Sequence, residues 1–361
     1  MLHRPSEALP RPAAIARWLI AVALLVLAMI VVGGITRLTE SGLSITRWDV
    51  VTGTLPPLSD AGWQAEFDAY RQTPQYREVN RGMSLADFKS IYFWEYVHRL
   101  LGRLIGLAFA LPLLWFWWRR AIPQGQGGRL AALLALGALQ GAIGWWMVAS
   151  GLVDRPEVSH VRLAVHLLLA LAIFGGLIWT ALDLLRLTRD PAAAPVRAPL
   201  LAVWTLSLLF LQFLFGAYVA GLEAGYAFNT WPLMGDEWFP AETPMLSPVL
   251  ANLVDNGVVV QFVHRWLAML VAALALALAA SAWRAGHRRL GEVLATAVLV
   301  QILLGIYTIL SGVEIYIAAA HQAMAAVLLA AVVATAHALA EGPASGPLRD
   351  PARRAAAEPA A

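Results

Sequence analysis

The chain has 361 residues, 60% of them hydrophobic and 14% charged, with a mean hydropathy of +0.66 and a formal net charge of +3. So apolar a composition excludes an ordinary soluble domain and points to an integral membrane protein. The small positive charge is no nucleic-acid signature, because the arginines cluster at the ends of apolar runs, and the lack of any cysteine excludes disulfides and thiolate metal sites.

A membrane-crossing helix needs roughly 20 apolar residues, and the sequence predicts eight. Residues 1–14 form a short polar tail, and the first span, 15–36, lacks a small-residue cleavage site and reads as retained. The loop 38–90 is the longest connection. Its Trp63, Phe67 and Tyr70 fall at helical spacing, so it is expected to form a partly helical cap, and Ser84-Leu-Ala-Asp87 reads as a capping box opening the second helix. The second span, 91–118, carries Glu95, His98 and Arg99 near its start; the third is 130–150, and the fourth, 163–182, carries His166. A linker, 183–197, leads to the fifth span at 198–221 and a second long loop at 222–256. The sixth span, 257–283, carries His264 and Arg265, the seventh is 290–312, the eighth, 315–339, carries His321, and 340–361 reads as a disordered tail.

Arginines set the expected orientation. Arg4, Arg11 and Arg17 precede the first span; Arg119, Arg120 and Arg129 lie between the second and third, Arg186, Arg189 and Arg197 between the fourth and fifth, and Arg284, Arg288 and Arg289 between the sixth and seventh. The alternate connections are poor in them. Both termini are therefore expected on the cytoplasmic side of a bacterial inner membrane.

An internal repeat divides the chain. Glu40, Gly42 and Trp48 recur at the same spacing as Glu223, Gly225 and Trp231; "EYVHR" (95–99) is echoed by "QFVHR" (261–265); Gln140, Gly144 and Ser150-Gly151 recur as Gln301, Gly305 and Ser311-Gly312. The fold class expected is an all-α polytopic membrane protein with eight transmembrane helices in two tandem pseudo-symmetric four-helix bundles, 15–182 and 198–339.

His98, His166, His264 and His321 fall on the four even-numbered spans, each about two turns in, or some 10 Å deep. One such histidine is usually a packing residue, but four at matched depth, one pair per repeat, point to ligation. Zinc would want further ligands; two imidazoles on opposed helices suit haem iron. Arg99 and Arg265 are candidate haem-propionate partners, with snorkelling to the interface as the plainer role. His3, His287 and His337 are assigned to structure, and His160 stays open between the two. The repeat breaks where Glu95 stands opposite Gln261. Glu95 lies one turn before His98 on the same helix face, placed either for proton handling beside the iron or for a salt bridge to Arg99 or Arg103.

"SGLSITRW" (41–48), "FKSIYFWEYVHRLLGR" (88–103), "FNTWPLMG" (228–235) and "QFVHRWLA" (261–268) resemble the signature segments of the haem A synthase family in its alphaproteobacterial and mitochondrial form. The resemblance covers about 15–339. It implies an eight-helix oxidoreductase that converts a methyl substituent of haem O to the formyl group of haem A, by successive hydroxylation and loss of water. It also implies haem b on His264 and His321, the substrate iron on His98 and His166, and Glu95 as the essential acid. Some members carry a cysteine pair in an outer loop; this chain has none, so a thiol relay is excluded.

Two other functions fit the histidines: a non-catalytic dihaem b-type cytochrome, and a haem transporter. The first leaves Glu95 against Gln261 unexplained, and the second is ill served by ionisable groups gathered at one face. The partners expected are membrane lipid, haem O delivered by a haem O synthase, an unnamed electron donor and further copies of the chain in a homo-oligomer.

Overall fold

The computed structural model describes residues 10–48, 52–153 and 155–342. His3 and most of both expected tails lie outside them. Among the described residues eleven α-helices run in chain order: α1 Pro12–Leu38, α2 Asp60–Tyr70, α3 Pro74–Glu78, α4 Leu85–Trp118, α5 Gly127–Ala149, α6 His160–Arg189, α7 Leu200–Gly221, α8 Asn252–Asp255, α9 Gly257–Arg284, α10 Arg288–Leu310 and α11 Ile315–Glu341. Eight of them (α1, α4 to α7 and α9 to α11) are long and apolar enough to cross a membrane, matching the eight predicted spans. Leu24, Leu104, Leu111 and Trp118 are exposed along these helices, as suits faces turned to hydrocarbon.

Local chemistry fixes the helix ends. The Ser84 hydroxyl accepts from the Asp87 backbone N–H while the Asp87 carboxylate accepts from the Ser84 N–H, completing the expected capping box. That cap starts α4 six residues before the apolar run, so its first turns belong to the loop. α6 runs on to Arg189, past the expected end of its span, because Leu184 is fully buried and Leu185 and Leu187 pack on the core; it stops at Asp190, ahead of Pro191.

The loop between α1 and α4 is a cap, as its aromatic spacing predicts. Phe67, Tyr70, Phe88 and Tyr92 form a buried cluster with Trp63 against it. Burial pushes the Tyr70 hydroxyl up to about 12. It therefore stays a neutral partner, donating to Gln75 and accepting from Asn80.

In the first half α1 packs on α4 and α6, and α5 on α6; in the second, α7 packs on α9 and α11, and α10 on α11. The halves meet through α6 with α7 and α11, and through α1 with α11. One buried apolar cluster draws residues from all eight spanning helices, among them Leu19, Leu113, Leu130, Leu177, Leu209, Leu278, Leu294 and Val332. Apart from parts of α1 and α7, these residues lie away from the long loops, so the densest packing sits below the four intramembrane histidines. The repeat anchors also share a conformation: Glu40 and Glu223 both take left-handed backbone angles, with φ of 52° and 53°.

A close helix contact joins the halves. A Cβ on Gly221, at the end of α7, would stand 2.5 Å from the His160 Cβ and 2.8 Å from its Cα at the start of α6. His160 lies 3.2 Å from the Asp255 carboxylate and edge-on to Tyr218. Gly221→Ala must push these helix ends apart, and thermal unfolding of the detergent-solubilised variant is expected to show a loss of roughly 1–3 kcal/mol. An unchanged melting temperature would mean that this contact yields freely.

Candidate haem-binding sites

His98 projects from α4, His166 from α6, His264 from α9 and His321 from α11. Three of them stand six or seven residues into their helices, roughly 9–10 Å at 1.5 Å per residue. His98 comes later in α4 because that helix starts within the cap. His98 lies within electrostatic reach of His166, and His264 of His321.

Each imidazole lies against a glycine of a neighbouring helix. A Cβ on Gly144 would stand 3.0 Å from His166 Cε1, one on Gly216 3.0 Å from His264 Cε1, one on Gly305 2.9 Å from His321 Cε1, and one on Gly33 3.3 Å from His98 Nε2. Any side chain at these positions would displace a ring. Three of the rings also meet a glutamine one turn before their glycine. Gln140 Nε2 lies 3.2 Å from His166 Nδ1 and donates to the His166 carbonyl at 3.0 Å. Gln212 Nε2 lies 3.0 Å from His264 Nδ1 and donates to that carbonyl at 2.9 Å. Gln301 Nε2 lies 3.2 Å from His321 Nδ1. The sequence repeat marks Gln140 and Gln301 without giving them a role, and it misses Gln212; the pattern Gln-x-x-x-Gly, read on α7 as well, is the signal that finds it.

Haem fits these pairs. Among the described residues no group of three or more His, Cys, Asp or Glu is placed to hold a metal ion. Two imidazoles alone suit an iron that brings its own equatorial ligands. The Oε1 atoms of Gln140, Gln212 and Gln301 are buried without a partner. They are hydrogen-bonding capacity left unused at the ring edges of three of the four histidines.

Glu95 is almost fully buried and saturated with donors. Its Oε2 accepts from the Ser44 hydroxyl at 2.7 Å and the Ile45 backbone N–H at 2.8 Å, and its Oε1 accepts from Arg99 at 2.7 and 3.0 Å. Arg99 also donates to the carbonyls of Ile45 and Arg47 and stacks on Trp48. Arg265 does the same in repeat register, donating to the carbonyls of Phe228 and Thr230, while Gln261 donates to Phe228. The two arginines thus latch each long loop onto its helix, a role the sequence reading does not reveal. Of the two acid roles open for Glu95, its salt bridge to Arg99 is the one visible in this geometry.

The surroundings of the two pairs differ. α9 packs closely on α10 and touches α11, whereas its counterpart α4 packs only loosely on α5. Where α10 fills the space with Val298 and Ile302, α5 has Gly137 and Gly141, and a Cβ on either, or on Gly106 of α4, would meet nothing within 4 Å. A cleft under the cap, beside Arg99, is lined by Tyr92, Tyr96 and Arg103; Met269 takes the Arg103 position in the second half.

His287 and His337 bind elsewhere. His287 lies 2.9 Å from the Gly342 carbonyl, and His337 lies between Asp183, at 2.9 Å, and Glu341, at 3.0 Å, with Arg129 completing the group at Asp183.

Comparison with known proteins gives a family match: a cytochrome oxidase assembly protein family, COX15-CtaA, matches residues 16–333. A heme A synthase of Rhizorhabdus wittichii is 57% identical over 331 residues, covering 92% of this chain and 95% of its own. Those of Sphingopyxis alaskensis and Rhodospirillum centenum are 52% and 51% identical, covering 90% of this chain in each case and 92% and 88% of their own lengths.

Proposed function

Because this chain belongs to the COX15-CtaA family of cytochrome oxidase assembly proteins, we propose that it is a haem A synthase, an integral membrane oxidoreductase that converts a methyl substituent of haem O to the formyl group of haem A. The observation that carries the division of labour is that two histidine pairs with like cradles sit in unlike surroundings. In the second half Val298 and Ile302 of α10 stand where α5 of the first half has Gly137 and Gly141, at which an added Cβ would meet nothing within 4 Å.

A resident cofactor is best served by an enclosed site, and a bulky substrate that must enter and leave by one with space. His264 and His321, with Gln212 and Gln301 behind them, therefore hold haem b, and residues 198–339 form its half. His98 and His166 take the iron of haem O, and residues 15–182 form the substrate half. Haem b, when bound, supplies a one-electron relay. Arg99 and Arg265 hold the two long loops, each next in sequence to a ligand histidine, where their guanidinium groups would also serve propionates. Glu95 puts the one buried carboxylate beside the first pair, where it orders Ser44, Ile45 and Arg99 and serves the substrate. Both termini lie in the cytoplasm, a reading that the arginine-rich connections support. A dihaem cytochrome would be served by two equally closed sites.

Expression in a host that makes haem O but no haem A tests the activity. Chromatography and mass analysis of extracted haems are expected to reveal haem A only when the chain is present; persistence of haem O alone, with the protein in the membrane, would contradict the reading.

A further inference from the structure

We propose that His98 is the exchangeable axial ligand of the substrate haem, and that Met29 makes it so. This rests on the proposed assignment of His98 and His166 to the substrate iron.

Gly33 faces His98 as Gly216 faces His264, and one turn before those glycines stand Met29 on α1 and Gln212 on α7. Three of the four histidines thus have a glutamine amide nitrogen against the ring, 3.2, 3.0 and 3.2 Å from Nδ1 of His166, His264 and His321, and the corresponding position on the helix facing His98 is Met29. Met29 packs toward α4, its Cε 3.3 Å from where a Cβ on Gly102 would stand.

A second observation agrees. His166, His264 and His321 all turn the Cε1 and Nδ1 edge to their glycine, with Nδ1 at 3.5, 3.5 and 3.4 Å from the added Cβ. His98 turns the other edge, Nε2 at 3.3 Å and Cδ2 at 3.6 Å. Its ring is turned over, with the nitrogen that the other three keep farther off set against α1. An amide distinguishes nitrogen from carbon on a ring edge, and the methionine does not.

A glutamine that clamps the histidine carbonyl and lies against the ring fixes which way the ring faces, and loss of such an outer-shell partner typically weakens ligation by about 10- to 100-fold. His166, with Gln140, is then the firm ligand. His98, with Met29 where the others have a glutamine and its ring turned over, would hold the substrate iron less firmly and could release it, leaving that side of the haem open to another ligand. In the second half Gln212 denies His264 that freedom, which suits a resident haem b.

The test exchanges the two residues. Purified protein carrying haem b is titrated with haemin, the first site being identified as the binding that His166→Ala removes, and carbon monoxide binding to the reduced haem and the ferric spin state are read. The parental first site is expected to bind carbon monoxide. Met29→Gln should cut that binding at least about tenfold and move the ferric spectrum to low spin. Gln212→Met should make the second haem reactive to carbon monoxide. A parental first site closed to carbon monoxide would overturn the inference, as would unchanged binding in Met29→Gln or an inert second haem in Gln212→Met. If Met29→Gln does not fold, the parental protein and Gln212→Met still decide. Absence of any haemin site dependent on His166 would overturn the proposed function and this inference with it; a site that is present but indifferent to these exchanges overturns the inference alone.

Discussion

Glu95→Gln is expected to lower haem A formation by about 100-fold or more, the scale of a lost acid–base group, while leaving haem b and its low-spin spectrum in place. Glu95 is a buried carboxylate whose repeat position in the second half is held by the neutral Gln261. Glutamine keeps its size but exchanges one acceptor oxygen for a donor amide, which confronts either the Ser44 and Ile45 donors or the Arg99 guanidinium. Ser44→Ala is the control, since it removes one hydrogen bond from the same carboxylate and keeps the charge. Ser44→Ala is expected to retain most activity and Glu95→Gln to accumulate haem O. Equal losses in both variants would assign Glu95 to holding the loop alone, and parental haem A in Glu95→Gln would remove it from the reaction.

His264→Ala and His321→Ala are each expected to abolish the low-spin b-type spectrum of the purified protein. Each removes one of two ligands and leaves beside the iron the glycine cradle and an orphaned glutamine, neither able to coordinate it strongly. Either variant should also unfold at lower temperature than the parent, because a ligand bound only by the folded state stabilises it by mass action. A low-spin spectrum retained in both variants would return these histidines to packing.

Most of the architecture is legible in the sequence because hydrocarbon admits few solutions: a long apolar run must close its backbone hydrogen bonds as a helix. The cap is legible too, since Trp63, Phe67 and Tyr70 share one helical face and Ser84 and Asp87 carry their own capping chemistry. The histidines stand out because they are polar in an apolar field. Their support does not. Gln212 and Met29 matter only through the glycine one turn on and the ring across the helix interface, and Gly33 and Gly216 belong to no conspicuous motif. The loop latch escapes for another reason. An arginine next to a histidine reads as a charge for a ligand or an interface, and nothing in "VHR" shows that loop carbonyls distant in sequence fold back to meet it. Glu95 was legible as an asymmetry, while its four donors come partly from Ser44 and Ile45, about fifty residues away, and appear only in the fold.

The division of the chain into a substrate half and a cofactor half is tested most directly by the haems that co-purify with a His98→Ala/His166→Ala double variant, extracted and identified by mass. The parental protein is expected to yield haem B together with a farnesylated haem, and the double variant haem B alone with its low-spin spectrum unchanged. A farnesylated haem still bound to the double variant, or loss of haem B from it, would contradict the account.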